Sequence, residues 1–81
     1  MKYFIYIVEC ADGTFYTGFT INIEKRVKKH NSKNGAKYVR TRLPVRLIYN
    51  EEFETRIDAM RREVEIKKWS RERKMRLING I

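Results

Sequence analysis

The side chains of this sequence that could do chemistry fall into three small groups. Tyr6 and Tyr16 lie ten residues apart, and Arg26 and His30 are one helical turn apart. Glu63 directly follows two arginines. A carboxylate facing a basic, tyrosine-bearing surface can bind a divalent metal, because such cations prefer oxygen ligands. Each group also has a structural explanation: sheet packing for the tyrosines, the edge of a core for the arginine and histidine, and an ion pair for the glutamate.

The apolar pattern predicts the elements that must position these side chains. Residues 2–10 are rich in β-branched and aromatic types, which is typical of a central strand buried on both faces. The later predicted elements are a strand over 14–19, a helix over 23–32 capped by Asn22, a basic loop over 33–44 with room for one helical turn, a strand over 45–53, a helix over 55–69 that Thr55 opens, and a helix over 70–80 capped by Ser70. The order β-β-α-β-α-α predicts an α+β fold, in which helices pack on a small, mostly antiparallel, three-stranded sheet.

The turn between the first two strands decides which faces the tyrosines occupy. A three-residue loop with Gly13 in the left-handed conformation places Gly18 opposite Tyr6. Tyr6 and Tyr16 then share one face of the sheet, because side chains alternate with period two. A two-residue Asp-Gly turn would put them on opposite faces. We favour the longer loop, and we expect Gly18 to leave open space where another group can approach.

On the first helix, Ile23 and Val27 form the predicted buried stripe. Arg26 and His30 flank this stripe and lie within the same arc of about 100°. We therefore expect both side chains to face the sheet.

On the second long helix, Ile57, Met60 and Val64 form the predicted buried stripe. Glu63 lies on the flank of that stripe, whereas Glu65 points to the far side. Glu63 therefore either pairs with a neighbouring Arg or Lys or binds a divalent metal, and the spacing leaves both alternatives open.

The charge balance indicates a polyanionic partner. The chain has 19 Lys and Arg against 10 Asp and Glu, a formal net charge of +9. Such a surface attracts phosphate backbones by releasing counterions; an anionic membrane surface is the alternative partner, and simple solubility the plainest explanation. The 5 Tyr, 4 Phe and 1 Trp favour nucleic acid, whose bases stack on aromatic rings.

Length and cysteine use limit the class of protein. A length of 81 residues predicts one compact domain over residues 1–81. The longest apolar run, Phe4–Val8, is far shorter than the roughly 20 residues needed to span a bilayer, and no basic leader or cleavage site precedes it. Cys10 is the only cysteine, so neither an internal disulfide nor a Cys/His zinc cluster is expected. These features predict a soluble, cytoplasmic protein.

Several phrases of the chain resemble the GIY-YIG (URI) nuclease superfamily, in particular its stand-alone UPF0213 group. Phe4-Ile5-Tyr6 stands where the family has Gly-Ile-Tyr, and Tyr16-Thr17-Gly18 stands where it has Tyr-Ile-Gly. Arg26 follows ten residues after the second tyrosine, and His30 four residues later. Further similar phrases are Gly35–Tyr38, Pro44–Val45, Glu51–Glu54 and Arg61–Glu63. The similarity covers nearly the whole chain, and the ordered set is far more specific than one tyrosine-glycine phrase.

The resemblance implies hydrolysis of DNA phosphodiester bonds with Mg²⁺ or Mn²⁺. Tyr16 would act as general base or orient the attacking water, and Tyr6 would support it across the hairpin. Arg26 would stabilise charge on the phosphate, and His30 would position or relay a proton. Glu63 would be the single protein ligand of the metal. The residues expected to contact the DNA backbone without reading sequence are Lys25, Lys29, Lys37, Arg40, Arg42 and Arg46.

The preferred function is therefore a metal-dependent DNA endonuclease in DNA repair or processing, weakly specific or directed by DNA structure. The full residue set favours this function, because a protein that only binds DNA has no reason to hold an acid beside phosphate. A nucleic-acid-binding module of the same fold with little or no turnover is the alternative. The absence of a separate DNA-targeting domain favours that alternative. A protein-interaction scaffold or a membrane-surface binder comes third.

Overall fold

The computed structural model describes residues 1–80 and contains three strands and four helices within them. Their order is β1 (Tyr3–Glu9), β2 (Phe15–Thr20), α1 (Ile23–Asn31), α2 (Lys37–Arg40), β3 (Arg46–Phe53), α3 (Arg56–Lys67) and α4 (Arg71–Asn79). The predicted order and fold class are confirmed, and the single helical turn allowed for in the basic loop is α2. No helix in this part of the chain is long and apolar enough to cross a membrane.

Strand β1 lies at the centre of the fold because it is apolar on both sides. The sheet order is β2-β1-β3, and both pairings are antiparallel. Tyr6 and Val8 point to the face covered by α1 and α2, whereas Ile5 and Ile7 point to the face covered by α3 and α4. All four side chains are fully buried. The sheet therefore lies between two helical layers, and β2 is one of its edges.

The hairpin between β1 and β2 has the predicted three-residue loop. Gly13 adopts a φ of +84°, a conformation that glycine reaches without steric cost, and Gly18 lies opposite Tyr6. Tyr6 and Tyr16 consequently share the face covered by α1, as predicted. The expectation of open space at Gly18 is wrong, because the phenol ring of Tyr6 itself lies against this glycine.

The three longer helices begin at side-chain caps. Asn22, Thr55 and Ser70 each accept a hydrogen bond from the backbone N–H three residues further along, at 3.0, 3.2 and 3.2 Å. These bonds satisfy amide groups that have no partner inside the helix. The predicted starts of α1, α3 and α4 are thereby confirmed.

The predicted buried face of α3 is wrong. Ile57, Met60 and Val64 are 63%, 43% and 53% exposed. Ala59 and Ile66 are the residues of this helix that are fully buried, against the second face of the sheet. They lie seven residues apart and so share one side of the helix, and the small side chain of Ala59 permits close approach to the sheet.

Charged contacts explain why this side of α3 faces inward. Arg62 donates through Nε and Nη2 to the two carboxylate oxygens of Glu51 on β3, at 2.8 and 3.0 Å. Its guanidinium also lies 5.2 Å from the centre of the Trp69 ring. A bidentate pair of this kind has a fixed geometry, which apolar periodicity does not take into account. The Glu63 side chain is 18% exposed and the Glu65 side chain is 55% exposed, although the stripe from which both positions were predicted faces solvent.

Candidate active site

A hydrogen-bonded chain of three side chains forms the centre of the candidate site. Tyr6 Oη lies 2.8 Å from His30 Nε2, and Arg26 Nε donates to the same Tyr6 oxygen at 3.3 Å. Tyr6 comes from β1, whereas Arg26 and His30 come from successive turns of α1, which face the sheet as predicted. His30, placed on the flank by the sequence analysis, is in fact the most deeply buried residue of α1. These hydrogen bonds connect the two fully buried rings of His30 and Tyr6 to the half-buried guanidinium of Arg26.

The environment of each group determines where the protons lie. Burial raises the pKa of the Tyr6 phenol, and burial together with the charges of Arg26 and Lys29 lowers the pKa of His30. Both rings are therefore neutral near pH 7. Arg26 can only donate, and we assign the Tyr6 O–H as the donor to His30 Nε2, because the other tautomer would leave the buried phenol proton without an acceptor among the described residues. This assignment, inferred from the hydrogen bonds, places the imidazole proton on Nδ1, a buried atom without a hydrogen-bond partner in residues 1–80.

Two glycines keep these rings in place through close approach. A Cβ on Gly18 would lie 2.5 Å from Tyr6 Cζ, and a Cβ on Gly35 would lie 2.8 Å from His30 Cα and closer still to the imidazole Nδ1. No side chain fits at such distances unless the tyrosine or the histidine moves. No role was predicted for Gly35, although a glycine in the loop between two helices is a signal of a close approach.

Tyr16 connects the buried rings with the surface. Its ring centre lies 6.4 Å from that of Tyr6 and 5.5 Å from that of His30, which it meets edge-on. It also stacks on Tyr38 of α2 with the ring centres 6.2 Å apart, and the Arg42 guanidinium lies 4.0 Å from the Tyr38 ring centre. Tyr38 is 42% exposed, so this row of rings ends in solvent. In the sequence Tyr38 belongs to the phrase Gly35–Tyr38 and has no predicted role of its own, because α2 is too short to show a periodicity.

Glu63 approaches Tyr16 from the opposite helical layer. Its Oε2 lies 3.2 Å from Lys67 Nζ one turn further along α3, and this Nζ lies 5.9 Å from the centre of the Tyr16 ring. Since α3 and Tyr16 belong to opposite faces of the sheet, they meet at the edge formed by β2. The Tyr6 pKa, raised chiefly by burial, is raised further by the Glu63 charge. The structure thus brings Glu63 to the side of the sheet edge where Tyr16 lies.

The carboxylate at this edge suits Mg²⁺ or Mn²⁺, which take most of their ligands from water and substrate. It does not suit a metal that is coordinated by protein side chains alone. Within residues 1–80 no cluster of three His, Cys, Asp or Glu side chains is close enough to hold an ion. Magnesium is commonly bound by one or two carboxylates and completes its shell with water and substrate phosphate. The mostly buried Glu63 carboxylate can provide that single ligand. Its ion-pair partner Lys67 is about half-exposed, and ion pairs at the surface are weak.

Four of the six basic residues expected to contact DNA lie on an accessible surface of α1 and α2. Lys25 and Lys29 line a depression of about 360 Å³ together with Arg26. Lys37 and Arg40 are exposed on α2. An anion in the depression would therefore contact the Arg26 guanidinium as well as Lys25 and Lys29.

The other two basic residues are engaged by acidic neighbours. Arg42 pairs with Asp12 at 3.1 Å and also donates to the Tyr38 carbonyl at 2.6 Å. Arg46 pairs with Glu9 at 2.7 Å. Both are exposed surface pairs, so the expected contacts of Arg42 and Arg46 with DNA stay a prediction.

Comparison with known proteins identifies the class to which this fold and site belong. The family model described as the GIY-YIG catalytic domain matches residues 2–76. The chain therefore belongs to the GIY-YIG nuclease family. Its relatives within that family are UPF0213 proteins. One from Staphylococcus saprophyticus is 53% identical over 78 residues, which is 96% of this chain and 95% of the relative. Another from Staphylococcus haemolyticus is 51% identical over 77 residues, 95% of this chain and 94% of the relative.

Solved structures of similar proteins have the same fold. The solution NMR structure of the UPF0213 protein BH0048 from Bacillus halodurans has 46% sequence identity and a TM-score of 0.64, and the match covers 98% of this chain and 84% of that one. The solution NMR structure of the protein EF2693 from E. faecalis has 39% sequence identity and a TM-score of 0.67, and the match covers 99% of this chain and 85% of that one.

Proposed function

We propose that the protein is a metal-dependent DNA endonuclease that hydrolyses phosphodiester bonds, with weak or structure-directed specificity, in DNA repair or processing in the cytoplasm. The observation that carries this proposal is the series of hydrogen bonds from His30 through Tyr6 to Arg26, which fixes a guanidinium on the side of the sheet that also carries Tyr16. Membership of the GIY-YIG family supports the reaction class.

In this proposal Arg26 binds the phosphate that is cut. Only its Nε is used by Tyr6, so the two terminal nitrogens can donate to phosphate oxygens. Lys25 and Lys29 around the same depression would hold the adjoining backbone. Tyr16, the phenol nearest the surface, would orient the attacking water or take its proton.

Glu63 would hold Mg²⁺ or Mn²⁺ at the β2 edge. A metal ion bound there supplies Lewis-acid stabilisation of charge on the phosphate and the leaving oxygen. To act as a metal ligand, Glu63 must break its ion pair with Lys67. The released ammonium would remain near Tyr16 and could pair with a phosphate.

His30 acts as a positioning residue in this proposal rather than as a proton acceptor for water. Both roles are compatible with the sequence alone. His30 is fully buried, and its Nε2 is occupied by Tyr6, so an attacking water has no route to it. Tyr6 is equally buried, and its oxygen is already shared by His30 and Arg26. Both residues would therefore act through Arg26.

A DNA-binding module without turnover is the second candidate, and the ion pair of Glu63 with Lys67 is the observation that favours it. If that pair never opens, the carboxylate cannot hold a metal. The protein would then bind DNA through its positive charge alone.

A nicking assay distinguishes these two functions. Supercoiled plasmid and branched DNA are incubated with the purified protein and Mn²⁺ or Mg²⁺, beside Glu63→Gln and the control Glu72→Gln, which neutralises an exposed acid on α4. We expect the wild type and Glu72→Gln to cut and Glu63→Gln to be inactive, with DNA affinity in EDTA largely kept. A wild type that leaves all substrates intact, or a Glu63→Gln variant that cuts normally, would overturn the endonuclease proposal.

A further inference from the structure

The outer edge of β2 carries a second group of positive charges, which the sequence analysis did not single out. Lys67 lies near the Tyr16 ring at this edge. Further along, Lys74 and Arg71 of α4 line an open depression of about 220 Å³ beside Phe15. Three cations from α3 and α4 therefore follow the edge strand from Tyr16 towards the hairpin turn.

Arg71 makes two contacts at the hairpin end of this row. Its Nη1 donates to the carbonyl oxygen of Gly13 at 2.7 Å, and its Cζ lies 4.1 Å from the centre of the Phe15 ring. Neither contact neutralises its charge. The remaining N–H groups of a guanidinium held in this way are pre-organised for an anion, since little side-chain freedom is lost on binding.

Lys74 is a cation in an unfavourable position. It is half-buried, and burial together with the charge of Lys67 lowers its pKa. Among residues 1–80, neither Lys74 nor Arg71 forms an ion pair with an acidic side chain. A partly desolvated ammonium beside a second one is destabilising, and an anion placed between them relieves this repulsion.

The length of the row suits a nucleic-acid strand. From Gly13 to Tyr16 the chain spans at most about 10 Å, at ~3.3–3.6 Å per residue. A strand of B-form DNA carries one phosphate per ~3.4 Å of helix axis. Neighbouring phosphates of one strand lie farther apart than this axial rise, because the backbone winds around the axis, so the edge spans about two phosphates beside three cations.

We propose that Lys67, Lys74 and Arg71 form a track that binds the phosphodiester backbone of DNA along the outer edge of β2 and leads it to Tyr16. This inference rests on the proposed function for the identity of the ligand. The track lies on α3 and α4, and it is separate from the basic surface of α1 and α2.

The test is the salt dependence of DNA binding in EDTA, where no metal-dependent cutting interferes. Fluorescence anisotropy with a labelled duplex gives Kd over a range of NaCl concentrations for Lys74→Gln and Arg71→Gln. Lys68→Gln is the matched control, because it removes one charge from an exposed position close in sequence. Lys74→Arg tests whether the charge alone is required. Thermal melts followed by circular dichroism establish that each variant is folded.

We expect Lys74→Gln and Arg71→Gln each to weaken binding several-fold and to reduce the slope of log Kd against log salt by about 0.9, the value for one lost phosphate contact. Lys68→Gln and Lys74→Arg should keep the wild-type slope. Unchanged slopes in both track variants, an equal loss in Lys68→Gln, or a wild type that does not bind DNA would overturn the track. A wild type that binds with these slopes but does not cut would instead refute the endonuclease and leave the track standing.

Discussion

At the scale of single residues, burial separates the groups that can touch DNA from those that cannot. Tyr6 and His30 are fully buried, whereas Arg26 and Tyr16 are half-buried and close to the surface. The five residues singled out from the sequence therefore do not form one uniform shell around a substrate. Two of them form an internal support, and the arginine is the residue through which that support reaches the surface.

The neutral, buried state of His30 predicts a specific pH dependence of stability. The pKa of His30 is lowered in the folded protein from an ordinary value of 6.5, first by burial and then by Arg26 and Lys29. Below that pH the unfolded chain binds a proton that the folded chain resists, so the free energy of unfolding falls as the pH falls. We expect a slope of up to about 1.4 kcal/mol per pH unit between pH 6.5 and about pH 5.

Urea denaturation at several pH values measures this slope, with His30→Gln as the comparison. The carboxyls with lowered pKa values, such as Glu51 with its ordinary value of 4.5, act at lower pH and do not obscure this window. His30→Gln should be less stable at pH 7 and nearly flat between pH 6.5 and about pH 5. A wild type that is equally flat would show that the histidine is not held neutral.

At the scale of elements, the sequence predicted the hairpin well and one helix face poorly. The register followed from turn chemistry, because Gly13 and the strand alternation leave few alternatives. The face of α3 depended on Ala59 and on the pairing of Arg62 with Glu51 across the fold, which no local pattern contains. The apolar stripe is real, but it faces solvent.

Gly18 provides a test of how tightly β2 and β1 hold the candidate site. Gly18→Ala puts a methyl group 2.5 Å from Tyr6 Cζ, so Tyr6 must move and its bonds to His30 and Arg26 must weaken. We expect a loss of about 1–3 kcal/mol in the free energy of unfolding, typical of overpacking, and reduced cleavage. Gly13→Asn is the matched control, because asparagine tolerates a positive φ and nothing lies within 4 Å of that position. Equal stability of Gly18→Ala and wild type would mean that Tyr6 does not pack as described.

The two faces of α3 predict opposite results for two truncations. Ile66→Ala removes a fully buried side chain and should cost about 2–5 kcal/mol. Met60→Ala lies on the exposed stripe and should change stability by less than about 0.5 kcal/mol. Thermal or urea unfolding of both variants measures the difference. A larger loss of stability in Met60→Ala than in Ile66→Ala would mean that the face predicted from periodicity is the buried one.

At the scale of the whole molecule, the proposed site draws on both helical layers, which meet at the β2 edge of the sheet. The first layer supplies Arg26, and the second supplies Glu63 and Lys67. Periodicity assigned faces to Arg26 and Glu63, but a meeting between layers depends on packing distances that a sequence does not contain. For that reason Lys67 and Lys74 were missed. The ion pairs of Arg42 and Arg46 were missed for the same reason, because each joins distant parts of the chain.

The most direct test of the whole account is a double-mutant cycle on single-turnover cleavage with Mn²⁺. The rate is measured for wild type, Arg26→Ala, Tyr6→Phe and the double variant, each at saturating protein and after a melt has shown that it is folded. Arg26→Ala should lower the rate by about 10²–10³-fold, and Tyr6→Phe should lower it less.

If Tyr6 acts only by holding Arg26, Tyr6→Phe has no further effect once the arginine is gone, because residues that act as a unit are not additive. We therefore predict the same rate for the double variant and for Arg26→Ala. Losses that multiply would contradict the account, since they would mean that Tyr6 contributes to cleavage independently of the guanidinium.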